Sequence, residues 1–348
     1  MSDLLPLVRL ADPAVTSIVS SKSISRLWAG MGSIDELTCS KPSSTDTPSN
    51  ILMAPTVTII AKRISCPNPR TFGDKRKASS YHVEARWYEA HANDPALSPI
   101  CCRGLLSHPQ NLDDEKDCGI ITILMTPLPR PTLHTMRGPV AAAAVRSVAR
   151  LHARYWGRFS ADEAVCRGLA QQGTYWYLDT RPDELDAMSN MGLDGRLKRA
   201  AKTIDFALKE HQYQTIVHGD LKACNMSLAE DDSYVTLVDF QYCGKACPAK
   251  DLAYLFVCGM DIDDDFEERQ EEEFLRLYIE ELQRNGVGKS GGDRDAPLPT
   301  LEVLTDALDL AYCDLYRWMC GWGVWGNGFL HERVERCLAE KAKLFEKS

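Results

Sequence analysis

The spacing of apolar side chains divides the chain into a strand-rich first part and a helical remainder. Residues 57–64 (VTIIAKRI) and 119–125 (GIITILM) are short apolar runs rich in β-branched residues, a pattern typical of buried strands. From residue 140 onward, apolar positions recur at the three- and four-residue spacing of amphipathic helices. Four stretches show this spacing, at residues 140–156, 196–211, 266–284 and 301–322.

This order of elements predicts an α+β protein with two lobes. We place the boundary at the Pro-rich hinge 127–131, which gives an N-terminal lobe of residues 1–126 and a helical C-terminal lobe of residues 127–348. Ligands commonly bind in the cleft between two such lobes, so we expect the chemistry there. Residues 40–50 and 286–299 are rich in Ser, Pro, Gly and Asp and are predicted to be loops.

Composition narrows the class of partner. The 40 Lys and Arg against 49 Asp and Glu give a net charge of −9, which disfavours nucleic acid and anionic membranes because both require a basic face. The longest continuous apolar stretch, residues 140–145, is far shorter than the ~20 residues that span a bilayer. Thirteen cysteines without a paired spacing predict reduced thiols in a cytoplasmic protein, and no zinc site. A cationic or neutral small molecule is the expected substrate.

The stretch 216–256 carries the most informative pattern. Asp220 follows His-Gly, Asn225 comes five residues later, and Asp239 follows the apolar run 235–238, which is the order found in kinases. Phosphoryl transfer requires a carboxylate that accepts the proton of the attacking hydroxyl, and oxygen ligands that hold Mg²⁺ against the phosphates. We therefore assign Asp220 as the base and Asn225 and Asp239 as magnesium ligands.

These motifs resemble those of kinase-like phosphotransferases that act on small molecules: aminoglycoside phosphotransferases, choline kinases and especially the ecdysteroid kinase-like group. HGD-x4-N, VDFQ and KDLAY stand in the order of that group, and LHARYW at 151–156 and the predicted helix 271–282 resemble its flanking signatures. The resemblance spans residues 57–325. It implies a protein-kinase-like fold, ATP and Mg²⁺ as cofactors, and transfer of the γ-phosphate to an alcohol.

The same resemblance gives roles to three neighbours of the predicted base. Lys222, two residues after Asp220, matches the position from which a lysine reaches the γ-phosphate, with a solvated loop lysine as the alternative. Asp251 looks like the aspartate that hydrogen-bonds the catalytic loop and orients Asp220. His218 is expected to have the same duty.

In the N-terminal lobe, a lysine must contact the α- and β-phosphates and be held by a helical glutamate. Lys62 ends an apolar run, as the lysine of V-A-I-K does, and is the natural candidate. Its partner is Glu84 or Glu89 from the helical segment YHVEARWYEA, and the match to the family pattern favours Glu84.

Three further residues are assigned to the nucleotide. Gly30 and Gly32, after Trp28, are candidates for a phosphate-covering loop because glycine lets backbone N–H groups approach phosphates, while an ordinary turn is the alternative. Met125 ends the second predicted strand, directly before the hinge, and is assigned to the same site.

Substrate selection is expected from residues 301–328. Asp314 lies at helical spacing within an apolar arc, where a lone carboxylate would be costly. It is therefore either paired with Arg317 or another base, or contacts a cationic ligand. In the second case Asp314, Trp318 and Trp322 would suit an amine or quaternary ammonium group. In the first case the tryptophans are core residues. The arc consists of Val303, Ala307, Leu310, Ala311, Trp318 and Trp322.

The leading hypothesis is an ATP-dependent phosphotransferase that acts on a hydroxyl of a small molecule. A protein kinase is one alternative, but only nine residues separate Gln241 from Asp251, and no Ala-Pro-Glu motif follows, so a long activation segment has no room. A catalytically silent, nucleotide-binding pseudokinase is the other alternative, since a fold alone does not establish an activity.

Overall fold

The structure is a computed structural model. The chain folds into two compact units, Met1–Leu128 and Pro129–Ser348. Trp28, most of the predicted loop 40–50 and the middle of the predicted loop 286–299 lie outside the described residues. The structure describes residues 3–27, 30–42, 55–65, 71–110, 119–157, 168–261, 268–289, 297–326 and 328–345.

A five-stranded antiparallel sheet forms the body of the first unit, with the strand order β1-β2-β3-β5-β4. The third strand is central and pairs with β2 on one side and β5 on the other, so that Lys62 lies opposite Ile34 and Ile123. The strands are β1 (Ser17–Arg26), β2 (Gly32–Ser40), β3 (Thr56–Ser65), β4 (Gly104–Gln110) and β5 (Ile120–Met125).

Two helices accompany this sheet, α1 (Leu5–Ala11) and α2 (Phe72–Ala90). Helix α2 begins with a capping box, in which the Thr71 hydroxyl accepts a hydrogen bond from the Asp74 N–H and the Asp74 carboxylate accepts one from the Thr71 N–H. Helix α1 joins the core cluster of the unit, which contains Val8, Val15, Leu37, Cys39, Ile59, Ala61 and Leu124.

The second unit is mainly helical. Its central helix, α8, packs against α5, α6, α7 and α9, and residues 307–319 of α8 are all buried. Such a helix has neighbours on every side instead of one solvated face. The helices are α3 (Gly138–Tyr155), α4 (Pro182–Ala187), α5 (Gly192–Lys209), α6 (Ala249–Tyr254), α7 (Glu268–Arg284), α8 (Leu301–Cys320), α9 (Phe329–Glu340) and α10 (Ala342–Phe345).

Two small antiparallel strand pairs carry the loops that contain the predicted catalytic residues. Strand β6 (Thr215–Val217) pairs with β9 (Gly244–Ala246), and β7 (Met226–Leu228) pairs with β8 (Val235–Leu237). The segment from 218 to 225 joins β6 to β7, and the segment from 238 to 243 joins β8 to β9. After α6 the chain continues into a π-helical turn, Leu255–Gly259, a form that often marks functional sites.

The sheet in the first unit and the helices in the second confirm the predicted α+β class. The helix predicted at 301–322 ends two residues earlier, at Cys320. Among the residues that the structure describes, no helix combines the length and the apolar character needed to cross a membrane.

Candidate active site

In the first unit, Lys62 and Glu84 form a buried ion pair. The Lys62 Nζ lies 2.8 Å from Oε1 and 2.6 Å from Oε2 of Glu84, and the two residues are 3% and 1% exposed. The alternative partner, Glu89, instead pairs with Arg86 at the exposed surface, at 2.5 Å. Of the two partners that the sequence left open, the structure contains Glu84, which the match to the family pattern favoured.

Of the glycines assigned to the nucleotide, Gly30 stands two residues before β2 and Gly32 is the first residue of that strand. Gly32 has a φ of +146°, and a Cβ there would lie 1.9 Å from the carbonyl oxygen of Arg63, so only glycine lets β2 begin this close to β3. Gly30 has a φ of +70°, and no described atom lies within 4 Å of its Cβ position. Gly32 thus has a packing role of its own, and the side of Gly30 is open.

Met125 ends β5 and is buried, opposite Ile60 on β3 and Gly104 on β4. The structure therefore places it at the end of the strand that precedes the hinge.

In the second unit, two hydrogen bonds join the loop after β6 to the end of β8. Nε2 of His218 donates to the carbonyl oxygen of Val238 at 2.9 Å, and the Val238 N–H donates to the carbonyl oxygen of Asn225 at 3.0 Å. Nδ1 of His218 accepts a bond from the Asp220 N–H at 3.3 Å. Because a carbonyl only accepts and a backbone N–H only donates, the imidazole carries a proton on Nε2 and accepts through Nδ1. It braces the segment of Asp220 against that of Asp239.

The carboxylate of Asp220 is held through one oxygen only. Oδ2 accepts hydrogen bonds from Nζ of Lys222 at 2.8 Å and from Nδ2 of Asn225 at 3.1 Å. Oδ1 is buried and has no hydrogen-bond partner in the described part of the chain. Leaving a buried acceptor unsatisfied costs about 1–3 kcal/mol, and more for a charged group. An oriented carboxylate with one unsatisfied oxygen is suited to accept a proton from a ligand.

Lys222 carries a positive charge beside this carboxylate. Burial by itself lowers the pKa of Lys222, but the Asp220 charge and hydrogen bond outweigh it and raise the pKa to about 12. The side chain is 40% exposed, so the ammonium group is both protonated at neutral pH and accessible.

Asp239 has a left-handed backbone conformation, with a φ of +68°. This conformation is uncommon for residues other than glycine and costs on the order of 1–3 kcal/mol, and such strain concentrates at functional sites. Nε2 of Gln241 donates a hydrogen bond to the Asp239 carboxylate. The strained residue directly follows Val238, which is anchored to His218 and Asn225.

The oxygens of Asn225 and Asp239 fit a magnesium ion. The Nδ2 of Asn225 donates hydrogen bonds to Asp220. The Oδ1 of Asn225 lies 3.9 Å from the Cys224 thiol, which is a weak donor. Mg²⁺ prefers such oxygen ligands and is usually held by one or two protein groups together with phosphates and water. Within the described ranges, no group of three or more His, Cys, Asp and Glu side chains is placed to hold a metal ion.

Asp251 fixes the backbone directly before Asp220. Its Oδ2 accepts a hydrogen bond from the His218 N–H at 2.7 Å, and its Oδ1 accepts one from the Gly219 N–H at 2.9 Å. Nε2 of His152 lies 3.1 Å from Oδ2 as a third donor. Asp251 and His152 are completely buried, so this arrangement is rigidly packed.

Asp314 is unavailable to a ligand, which corrects its assignment to the substrate. Its Oδ2 accepts a hydrogen bond from Lys250 at 2.9 Å, and its Oδ1 accepts two from Arg317 at 2.7 and 2.9 Å. All three residues are at most 1% exposed. Burial would raise the pKa of Asp314, but the charges of Lys250 and Arg317 hold it below its ordinary value. Of the two alternatives left open by the sequence, the structure contains the internal ion pair.

The two tryptophans assigned to the substrate lie in different surroundings. Trp318 is buried in α8, edge-on to the rings of Tyr175 and Trp325 at centroid distances of 5.0 and 4.9 Å. Trp322 lies beyond the end of α8, is 66% exposed and donates its Nε1–H to Glu184 at 2.8 Å. The predicted apolar arc is therefore wrong at Trp322, because the helix has already ended.

Two polar residues near these groups carry no assignment from the sequence, His152 and Lys250. The first stands in LHARYW and the second in KDLAY, so the motifs contained both without indicating their partners. Lys250 is buried against Asp314, with its Nζ 4.4 Å from the centroid of the Trp176 ring. A basic residue in an otherwise apolar buried segment is the signal that could have identified them.

Comparison with known protein families gives a match to the ecdysteroid kinase-like family over residues 180–286. The matched residues include Asp220, Asn225, Asp239 and Asp251, and the match confirms the resemblance drawn from the motifs in this part of the chain. Lys62 lies outside it. No curated protein matches the chain.

Several solved structures are similar to the chain at low identity. A type VIII aminoglycoside 3'-phosphotransferase is 16% identical, with 91% of this chain and 98% of that chain covered and a TM-score of 0.44. An aminoglycoside phosphotransferase from Streptomyces rimosus, in complex with ADP and streptomycin, is 14% identical, with coverage of 93% and 100% and a TM-score of 0.44. An ethanolamine kinase from Plasmodium vivax is 12% identical, with coverage of 94% and 84% and a TM-score of 0.44.

Proposed function

We propose that this protein is an ATP- and Mg²⁺-dependent phosphotransferase that moves the γ-phosphate of ATP to a hydroxyl group of a small molecule. The observation that carries the proposal is the state of Asp220, whose Oδ2 is fixed by Lys222 and Asn225 while its buried Oδ1 has no hydrogen-bond partner among the described residues. A general base needs such an oriented carboxylate with one oxygen left for the substrate proton.

In this reaction the acceptor hydroxyl oxygen forms a bond to the γ-phosphorus, and the bond from that phosphorus to the bridging oxygen of ADP breaks. The proton of the hydroxyl passes to Oδ1 of Asp220. Lys222, protonated at neutral pH, is placed to stabilise negative charge on the transferred group. His218 and Asp251 hold the backbone of Asp220 in place through the bonds described above.

Lys62, kept charged and oriented by Glu84, is the proposed contact of the α- and β-phosphates, with Gly30, Gly32 and Met125 in supporting positions. Asn225 and Asp239 are the proposed ligands of Mg²⁺, which when bound supplies positive charge to the phosphates. Accordingly, we propose the first unit as the nucleotide-binding lobe and the second as the catalytic and substrate lobe.

A specific observation favours a small acceptor over a protein. The nine residues between Gln241 and Asp251 contain β9, which pairs with β6, so this short segment is part of the folded unit. A protein kinase uses a long activation segment at this point. The odd number of cysteines without paired spacing supports a cytoplasmic location.

The proposal is tested by measuring ATP-dependent phosphate transfer to a panel of amino-alcohols, sterols and aminoglycosides in Mg²⁺. Asp220→Asn should lower kcat by about 10²–10⁴-fold and retain nucleotide binding. Asp239→Asn should abolish metal-dependent turnover, and its unchanged melting temperature is the control for folding. If the wild type binds ATP and transfers phosphate to no acceptor, the protein is a nucleotide-binding pseudokinase. Full activity of the Asp239 variant in Mg²⁺ would refute the metal assignment.

A further inference from the structure

The segment that precedes α4 packs against the proposed catalytic loop. A Cβ at Gly219 would lie 2.8 Å from the backbone nitrogen of Thr174 and 2.9 Å from its Cα, so Gly219 leaves just enough space for this contact. The Thr174 N–H also donates to the carbonyl oxygen of Tyr242 at 3.0 Å. Tyr175, the next residue, is thereby held next to the loop that contains Asp220.

A second segment packs against the other side of the same loop. A Cβ at Gly259, the last residue of the π-helical turn, would lie 2.8 Å from the carbonyl oxygen of Leu221. The hydroxyls of Tyr254 and Tyr175 are 2.7 Å apart, which joins the two segments. Burial and then the Asp220 charge raise the pKa of both tyrosines, in agreement with this placement. The two segments that pack against the loop of Asp220 therefore carry a linked pair of tyrosines.

Three aromatic rings, one of them that of Tyr175, surround the guanidinium group of Arg181. Its Cζ lies 5.4 Å from the centroid of Tyr175, 5.7 Å from that of Trp318 and 5.9 Å from that of Trp322. All three distances are within the range of cation–π attraction. We call these three rings the aromatic cage.

Arg181 is held firmly in the cage. Its Nε donates to the carbonyl oxygen of Tyr175 at 2.8 Å, and its guanidinium pairs with Glu184 at 3.0 Å. Glu184 also accepts the bond from Trp322, so the carboxylate links the cation to a wall of the cage. Arg181 is only 6% exposed, so an external cation cannot share this position.

We infer that Arg181 is a specificity-determining residue: it fills the aromatic cage beside Asp220 with a cation from the chain itself, and so selects uncharged alcohols over amines as acceptors. This inference rests on the proposed phosphotransfer function. The sequence offered two groups that could attract an amine, and internal cations occupy both. Arg181 lies against the tryptophans, and Lys250 and Arg317 pair with Asp314. A cationic acceptor would find the three rings and the Glu184 carboxylate already occupied by a cation instead of an empty cage.

The test uses two probes of equal shape that differ in charge, choline and 3,3-dimethylbutan-1-ol. Their binding to the full chain is measured by calorimetry and by tryptophan fluorescence, at constant ionic strength. The wild type should bind choline no more tightly than the uncharged probe. Arg181→Ala should bind choline at least tenfold more tightly than the uncharged probe, because the emptied cage keeps its rings and Glu184.

Two further variants keep the test decisive. Arg181→Gln removes the charge and retains a donor for the Tyr175 carbonyl, so it should show the same change of preference even if Arg181→Ala does not fold. Arg196→Gln is the matched control, since Arg196 forms an exposed pair with Glu335 and should leave the ratio unchanged.

The inference is overturned if the wild type prefers choline tenfold or more, or if both folded Arg181 variants keep the wild-type ratio. These outcomes concern binding and need no turnover. Failure of the proposed function gives a different result, namely no ATP-dependent transfer to any alcohol, whichever probe is bound.

Discussion

Nε2 of His218 donates a hydrogen bond to the carbonyl oxygen of Val238, across 2.9 Å. The first residue stands two positions before Asp220 and the second stands one position before Asp239. The His218 imidazole therefore links the segment of the proposed base to that of a proposed magnesium ligand. The Asp251 carboxylate holds the same loop by accepting a hydrogen bond from the backbone N–H of His218. The loop is therefore held through its backbone as well as through the His218 side chain.

The Lys62–Glu84 pair should be needed for productive use of ATP. Lys62→Ala and Glu84→Gln should each lower kcat/KM for ATP by about 10²-fold, the effect of removing one preorganised electrostatic group. Glu89→Gln is the control, since Glu89 contacts Arg86 at the surface, and it should change kcat/KM by less than twofold. Steady-state kinetics at varied ATP checks this. An effect of the Glu89 variant equal to that of Glu84→Gln would contradict it.

Asp251→Asn should slow turnover without weakening nucleotide binding. The amide presents one acceptor oxygen where the carboxylate presents two, so the N–H of His218 or Gly219 loses its partner and the loop loses its alignment. A lost bond of about 1–3 kcal/mol corresponds to a decrease in kcat of roughly fivefold to a hundredfold. The Kd for ATP should stay within twofold. Asp231→Asn, in the exposed turn after β7, is the control and should change neither kcat nor the Kd for ATP. If Asp251→Asn and Asp231→Asn have the same kcat, Asp251 has no positioning role.

Asp314→Asn should destabilise the second unit whichever acceptor is assayed. The change leaves the buried charges of Lys250 and Arg317 without their shared carboxylate, at a cost of about 3–5 kcal/mol. Urea unfolding measures this cost. Asp306→Asn, which removes an exposed partner of Lys341, should cost less than about 1 kcal/mol. A loss of acceptor affinity in Asp314→Asn, without a loss of stability, would restore the substrate contact that the structure does not support.

The same ion pair predicts a defined pH dependence of stability. The pKa of Asp314 is lower in the folded protein than its ordinary 3.8, so the stabilisation is fully present above the unfolded-state pKa and is lost as the pH falls through the folded-state pKa. The melting-temperature difference between wild type and Asp314→Asn should therefore be constant from neutral pH to about pH 4 and should decrease below it. A difference that already vanishes near pH 6 would show that another group controls it.

Much of the candidate site follows from short-range pattern. The order of Asp220, Asn225 and Asp239 places them on two loops joined to neighbouring short strands, and strand pairing then brings the loops together. In YHVEARWYEA the resemblance to the family pattern favoured Glu84, and in α2 Glu84 is buried while Glu89 is exposed, since positions five residues apart lie on different faces of a helix. These relationships lie within single elements or between elements adjacent in sequence, where periodicity carries the information.

The sequence by itself determined the α+β class, the order of the elements and the residues of the proposed catalytic centre. Only the tertiary structure decided which buried charges meet. Asp314 pairs with Lys250, 64 residues away, and Arg181, directly before α4, lies over the ring of Trp318 on α8. Periodicity indicates the face of a helix that is buried, but the element packed against that face depends on the fold of the whole unit. The partner of a buried charge is therefore a property of packing between distant segments, which no local pattern encodes.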